Sequence, residues 1–193
     1  MTVSELVRKN RSYRRFDQKA RIAPEALESL VDLARQSGSA GNKQPLRYII
    51  SCSEEMNRKI FPNLTWAAAL KEWPGPAEGE RPAAYIIVVA DKTIWNWAAV
   101  DLGVASQSIL LGATEVGLGG CTIGVLKKQE LTELLALPEE LEIRVVIALG
   151  KPVETIVLEE AESAESTTYY RSDDQVHHVP KIPLKDVILE KYV

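Results

Sequence analysis

Residues 101–125, DLGVASQSILLGATEVGLGGCTIGV, are the stretch whose reading decides the fold. From Leu102 to Val116 the only charged side chain is Glu115. Leu102, Ala105, Ile109, Ala113 and Val116 form one stripe at helical spacing, while Val104 and Leu111 fall on other faces. A helix apolar on most of its sides is a buried helix. Its about 16 residues reach roughly 24 Å, enough to cross a small domain and short for a membrane span. Gly117 suits the left-handed residue that ends a helix, with Leu118 packing back on the last turn. Gly119 and Gly120 then leave the backbone bare ahead of Cys121–Val125, an apolar run that reads as a buried strand. These glycines have two readings: a plain turn between helix and strand, or bare backbone on which a flat ligand can lie.

Upstream, Trp95 and Trp97 lead into this helix, whose start falls between Thr93 and Asp101. Ala83–Ala90 (AAYIIVVA) is a nearly continuous apolar run, the pattern of a strand covered on both faces. Residues 61–82, FPNLTWAAALKEWPGPAEGERP, differ in character. Pro62, Pro74, Pro76 and Pro82, with Gly75 and Gly79, rule out one continuous helix. Leu64, Trp66 and Ala67–Leu70 are apolar enough to require burial, which predicts a short helical piece. The segment reads as a lid insertion carrying Trp66 and Trp73 to a substrate, or as a surface excursion whose tryptophans pack inward. Further upstream, Arg47–Ser51 reads as a strand, and Ser53 as the cap of a helix running to Ile60. Residues 37–45, SGSAGNKQP, form a loop by composition. Pro24 opens a helix ending near Arg35, and Thr2 or Ser4 caps a first helix, Val3–Lys9.

Downstream, Lys128–Leu135 predicts a short helix and Ile143–Leu149 a buried strand. Residues 154–180 lose periodicity, and 154–193 read as an extended arm with a last helical turn or strand at Leu184–Tyr192. The whole chain, 1–193, is a single layered domain of mixed helices and strands.

A length of 193 residues suits one domain with a sizeable core. A net charge of −4 points away from nucleic acid and anionic membrane surfaces. No apolar run approaches a transmembrane length. Cys52 and Cys121 are far apart and form no CxxC, so free thiols in a reducing cytoplasm are expected.

Three groups of residues carry candidate chemistry. Arg11 and Arg14, with the Ser12 hydroxyl between them, offer forked donors and one rotatable donor to a phosphate or carboxylate. Ser39, Asn42 and Gln44 place donors and acceptors in one loop, suited to the edge of a heterocycle or to plain turn chemistry. The GLGG run follows a helix and precedes a strand, the reverse of a dinucleotide fingerprint, and no phosphate-loop or nucleophile-elbow motif is present. His177 and His178 are adjacent and share no face, so no metal site is expected. No side chain stands out as acid, base or nucleophile, which fits an enzyme whose chemistry belongs to a cofactor.

Taken in order, RSYRRFD, SAGNKQP before a strand, a long apolar helix into GLGGCTIG, VIALGKP and VPKIPL resemble the nitroreductase family across nearly the whole chain. That resemblance implies an α+β fold: a three-layer α/β/α sandwich with a mostly antiparallel central sheet and an extended C-terminal arm. It implies a homodimer in which residues 154–193 wrap the partner, with one flavin mononucleotide (FMN) at each of two interface sites. By position, Arg11, Ser12 and Arg14 match the residues holding the phosphate and the pyrimidine side of the flavin. Asn42 and Gln44 match loop residues that meet the flavin, usually from the other subunit. Thr122, Ile123 and Gly124 match the segment along one face of the ring, where a backbone N–H, here assigned to Gly124, points at N5. Lys181 matches a basic residue on the phosphate. Asn10 stands where many members carry a second arginine.

The implied function is an oxidoreductase passing hydride from NADH or NADPH through flavin N5 to a nitroaromatic, quinone or similar acceptor. One pocket used in turn by both substrates implies ping-pong kinetics. The alternatives are specialised flavin chemistry on the same fold (flavin destruction, dehalogenation or substrate dehydrogenation) and a flavin-binding protein without turnover.

Overall fold

The computed structural model describes residues 1–94 and 98–193, so Trp95 and Trp97 lie outside the described residues. It divides into two compact units: Met1–Trp66 with Gly75–Val153, and Ala67–Pro74 with Glu154–Val193.

In chain order the first unit contains α1 (Val3–Lys9), β1 (Phe16–Asp17), α2 (Pro24–Gln36), β2 (Leu46–Ser51), α3 (Glu54–Ile60), β3 (Ala84–Asp91), α4 (Ala98–Glu115), β4 (Gly119–Ile123), α5 (Lys128–Leu134) and β5 (Leu141–Pro152). Local chemistry sets the helix starts. Thr2 and Glu5 close a capping box on α1. Pro24 occupies the first turn of α2. The Ser53 hydroxyl accepts the Met56 N–H at the start of α3.

All five strands pair antiparallel, in the order β1–β5–β3–β2 with β4 also on β5. β5 pairs with β3 from Leu141↔Asp91 to Leu149↔Ala84, with β4 from Val146↔Ile123 to Gly150↔Gly119, and with β1 at Pro152↔Phe16. On one face Ile86, Val88, Ile147 and Leu149 pack with Leu27 and Leu30 of α2 and Ala105, Ile109 and Ala113 of α4. The opposite alternation, Tyr85, Ile87, Val89, Val146 and Ala148, is no more than 1% exposed. Both faces are therefore covered, which gives the three layers and explains why β3 reads as a continuous apolar run. Each fully buried isoleucine of this core contributes about 1.5–3 kcal/mol.

Among the described residues α4 begins at Ala98, and Thr93 lies in a turn instead. It ends as its sequence predicts: Gly117 has φ 80°, Leu118 N–H donates to Ala113 C=O at 2.8 Å and Gly117 N–H to Thr114 C=O at 3.2 Å. Val116 leaves the predicted stripe and is 64% exposed. β4 sits two residues earlier than the apolar run suggests. Pairing with β5 starts at Gly119, and Thr122 and Val125 face outward, because tertiary pairing overrides the poor strand preference of glycine.

Residues 61–82 are not one element. Leu64 bridges Leu126 and Thr65 N–H donates to Val125 C=O at 3.0 Å, so the apolar start is extended rather than helical. The Trp66 ring is 6% exposed and 5.8 Å from the Phe61 ring. Ala67–Trp73 turns through Leu70 N–H to Ala67 C=O (2.7 Å) and Trp73 N–H to Leu70 C=O (2.9 Å), without a helix. Residues 78–81 are pinned to the neighbourhood of β1. Phe16 N–H donates to Glu80 C=O at 2.9 Å, Gly79 N–H to Gln18 Oε1 at 2.8 Å, and Arg15 Nε to Glu80 Oε2 at 2.8 Å. The insertion expected as a single lid is thus fastened at both ends, leaving 67–74 as its separate piece.

The second unit contains β6 (Ile156–Glu160), β7 (Tyr170–Arg171), β8 (His177–Lys181) and α6 (Leu184–Val187). β6 runs parallel to β8 and β7 antiparallel to it. Residues expected as an extended arm therefore hold a three-stranded sheet, whose strands are too short to print a period on the sequence. The unit has a polar interior: Arg171 pairs with Glu154 at 3.2 Å with both side chains largely buried, and its guanidinium lies 4.6 Å over the Trp73 ring. Beyond α6, Leu189 and Tyr192 are each 95% exposed.

Candidate functional site

The first unit joins two candidate groups that lie about 110 residues apart in sequence. After α1 the chain turns extended at Asn10, which is buried and donates its N–H to Leu6 C=O at 2.8 Å. Ser12 then forms a parallel bridge with Gly120, and Tyr13 N–H donates to Gly120 C=O at 3.0 Å. The basic segment Arg11–Arg14 therefore runs alongside the start of β4, two residues from Thr122.

Arg11 is the electrostatic centre of this arrangement. One terminal nitrogen donates to Val7 C=O at 2.6 Å, while its Nε is buried and has no partner among the described residues. Burial pushes the Arg11 guanidinium below the ordinary arginine range, with Tyr13 acting weakly the other way. A partly desolvated cation with a spare donor suits an anion that can enter from outside the chain. Arg14 is half-buried and donates to Ser12 C=O at 3.1 Å, and the Ser12 side chain is exposed.

On β4 only Thr122 points outward, between buried Cys121 and Ile123. Gly124 follows with open space where a side chain would stand. The preceding glycines divide between a turn and close packing. Gly117, not Gly119 or Gly120, makes the turn. A Cβ at Gly120 would meet the Ala148 carbonyl oxygen at 2.3 Å, so its bareness lets β5 approach.

Ser39, Asn42 and Gln44 occupy one loop before β2, centred on a single turn at Ala40–Asn42. Gly41, Asn42 and Gln44 all take left-handed backbone, with φ 56°, 53° and 51°. For Asn42 and Gln44 this conformation carries a cost, and such strain gathers where geometry is functional. Their exposed side chains bond each other, Gln44 Nε2 donating to Asn42 Oδ1 at 3.0 Å. Ser39 does not face outward as they do: its hydroxyl donates to Asp101 Oδ2 at 2.5 Å and accepts the Gln44 N–H at 2.8 Å.

Asp101 is the residue that sequence reasoning missed. It stands four residues before Ala105 and eight before Ile109, in register with the buried stripe, and an acid in that register needs partners. Trp66, expected beside a substrate, is enclosed by the chain itself. A Cβ at Gly75 would meet its ring at 2.6 Å. Trp73 and Lys181 lie in the second unit, Lys181 exposed at the end of β8 with its C=O accepting the Ala161 N–H at 2.8 Å. Among the described residues no cluster of His, Cys, Asp and Glu could hold a metal ion, and no helix is long and apolar enough to cross a membrane.

Comparison with known proteins gives this geometry a context. The model of the Nitroreductase family matches residues 7–151. A protein of Archaeoglobus fulgidus is 28% identical over 179 residues, covering 89% of this chain and 91% of its own length. One of Methanothermobacter thermautotrophicus is 30% identical over 162 residues, covering 80% and 79%. Both bear names that propose an NADH dehydrogenase or NAD(P)H nitroreductase. Among solved structures, a nitroreductase family protein of Clostridium difficile superposes with a TM-score of 0.72 at 22% identity over all of both chains. The NADPH:FMN oxidoreductase of Vibrio harveyi, complexed with NAD+, gives 0.68 at 21% identity over 98% of this chain and 77% of its own. The family model spans the Arg11 segment, the 39–45 loop, α4 and β4 alike, and the chain belongs to the nitroreductase family.

Proposed function

We propose that this protein is an FMN-dependent oxidoreductase that takes electrons from NADH or NADPH and passes them to a nitroaromatic, quinone or similar small acceptor. The observation carrying this reading is Arg11: a half-buried guanidinium whose buried Nε has no partner among the described residues, held beside β4 by the Ser12–Gly120 bridge. That donor set fits the phosphate of FMN. Bound flavin would supply two-electron redox chemistry that no side chain here offers.

Within this reading Arg11 and Ser12 hold the phosphate end, and Arg14 serves the pyrimidine edge. Thr122, Ile123 and the open backbone at Gly124 border the ring, where the Gly124 N–H addresses N5. Asn42 and Gln44 offer amide groups to the ring edge. Nicotinamide and acceptor would use one pocket in turn, which gives ping-pong kinetics. Trp73, not the enclosed Trp66, is the aromatic retained as a substrate contact.

A homodimer is part of the proposal. Val100 and Val104 on α4 are 58% and 40% exposed, and the tail ends with Leu189 and Tyr192 uncovered, so a second copy would bury apolar surface that one chain leaves in water. The names of the archaeal relatives and of the Vibrio harveyi enzyme support both the donor and the flavin. The test is the absorbance spectrum of purified protein before and after anaerobic addition of each nicotinamide. Flavin bands that bleach support the reading. Flavin that stays oxidised with both donors points to binding without turnover, and protein that is colourless and takes up no FMN overturns the proposal.

A further inference from the structure

We propose that Asp101 is the positioning residue that sets the shape of the loop displaying Asn42 and Gln44. Its side chain is only 4% exposed. A buried carboxylate demands compensation, and among the described residues its hydrogen bonds come from one place. The Ser39 hydroxyl donates to Oδ2 at 2.5 Å and the Ala40 N–H to Oδ1 at 2.9 Å, both from the entry of the loop. Charge-assisted bonds of this kind are short and strong.

The constraint passes through Ser39 to the far side of the loop. Its hydroxyl proton is committed to Asp101, which turns the oxygen lone pairs toward the Gln44 N–H, bonded at 2.8 Å. Arg47 holds the same residue from the strand side, donating to Gln44 C=O at 2.9 Å, and Asp91 N–H donates to Pro45 C=O at 2.9 Å. Between these clamps lie the left-handed Gly41, Asn42 and Gln44. Asparagine tolerates that region and glutamine less so, so the conformation persists only while its surroundings impose it. Helix α4 is the rigid part. Asp101 sits in its first turn, one helical turn before Ala105 and two before Ile109, both buried against the sheet. The apolar core thereby dictates where two exposed amides point.

The chain of cause is Asp101 to Ser39 Oγ, Ser39 Oγ to Gln44 N–H, and Gln44 to the amide pair. Removing the carboxylate strips the Ala40 N–H of its acceptor and frees the Ser39 proton. Asp101→Asn keeps an oxygen for Ala40 but presents an N–H to a hydroxyl oxygen already accepting from Gln44, so its effect should be smaller than that of Asp101→Ala.

The test is amide hydrogen exchange, read residue by residue, on wild type, Asp101→Ala, Asp101→Asn and Ser39→Ala, with FMN affinity of the apoprotein measured alongside. In Asp101→Ala the Ala40 and Gln44 amides should exchange at least tenfold faster, while Val88 and Ile147 in the sheet keep their rates. In Ser39→Ala only Gln44 should accelerate, because Ala40 still reaches Asp101. FMN should bind at least tenfold more weakly to Asp101→Ala, with Asp101→Asn between it and wild type. Unchanged exchange at Ala40 and Gln44 overturns the proposal, as does acceleration spread evenly over loop and sheet. The affinity arm rests on the flavin reading. If wild type takes up no FMN, that reading fails while the exchange pattern still decides the role of Asp101. If Asp101→Ala does not fold, the contrast between Asp101→Asn and Ser39→Ala decides it.

Discussion

Replacing Arg11 by methionine is expected to move the apoprotein and the flavin-loaded protein in opposite directions. Methionine keeps an unbranched apolar stem in the space of the arginine side chain while removing the charge and the donors. In the apoprotein the buried Nε has no partner among the described residues, a desolvation cost of about 1–3 kcal/mol, and the bond to Val7 C=O returns only about 1 kcal/mol. The substitution therefore nets roughly 0–2 kcal/mol in favour of the apoprotein. For a chain of this size each kcal/mol moves the melting temperature by about 2–4 °C, so a rise of up to about 8 °C is expected. With flavin bound the sign reverses. Loss of a charge-assisted bond to the phosphate costs about 1.5–3 kcal/mol, a dissociation constant roughly tenfold to a hundredfold weaker or somewhat more. The assay pairs thermal melts of apoprotein, in buffer free of phosphate, with titration of FMN by quenching of its fluorescence. Riboflavin, which lacks the phosphate, supplies the control. An apoprotein destabilised as much as the loaded form would refute the idea that Arg11 is held in readiness for an anion. So would riboflavin binding wild type as tightly as FMN.

Gly120→Ala should lower the melting temperature, because its methyl group would stand 2.3 Å from the Ala148 carbonyl oxygen; overpacking of this kind costs about 1–3 kcal/mol. Gly124→Ala meets nothing within 4 Å and should melt like wild type, so a calorimetric scan showing equal losses in both would contradict the packing described. Trp66→Leu should destabilise by about 1–3 kcal/mol with Michaelis constants unmoved, whereas Trp73→Leu should change the Michaelis constant for the acceptor; steady-state kinetics showing the reverse pattern would return Trp66 to the substrate side. Light scattering should find a dimer for wild type, and Val104→Glu, placing a charge on the exposed apolar face of α4, should shift it toward monomer; a wild-type monomer carrying bound flavin at micromolar concentration would exclude the dimer.

Much of the fold was legible because its signals are local. The apolar stripe of α4, the glycine stop at Gly117, the cap at Ser53 and the unbroken AAYIIVVA run each carry their cause within a few residues. What escaped depends on partners distant in sequence. β4 begins at Gly119 because β5 lies beside it, and nothing within GLGGCTIGV encodes that neighbour. The 61–82 segment looked like one insertion by composition, yet Gln18 and Arg15 fasten one part of it and Leu126 another. In the site, the residue types at 11–14 and 39–44 suggested ligand chemistry. The inward commitment of Ser39 and the role of Asp101 could not be read, because a hydroxyl and a carboxylate 62 residues apart have no shared pattern until they meet.

The position of β5 has a consequence for how the protein is made. The strand at the centre of the sheet, bordered by β1, β3 and β4, is the last of the five to be synthesised. Until Leu141–Pro152 leaves the ribosome, β3 can pair only with β2, and β1 and β4 have no strand to join. Almost every pairing is then long in sequence, which slows folding and lengthens the time for which apolar edges stay open. Nascent chains arrested before Leu141 should therefore remain protease-sensitive and draw on chaperones, and those extended past Pro152 should become resistant in a single step.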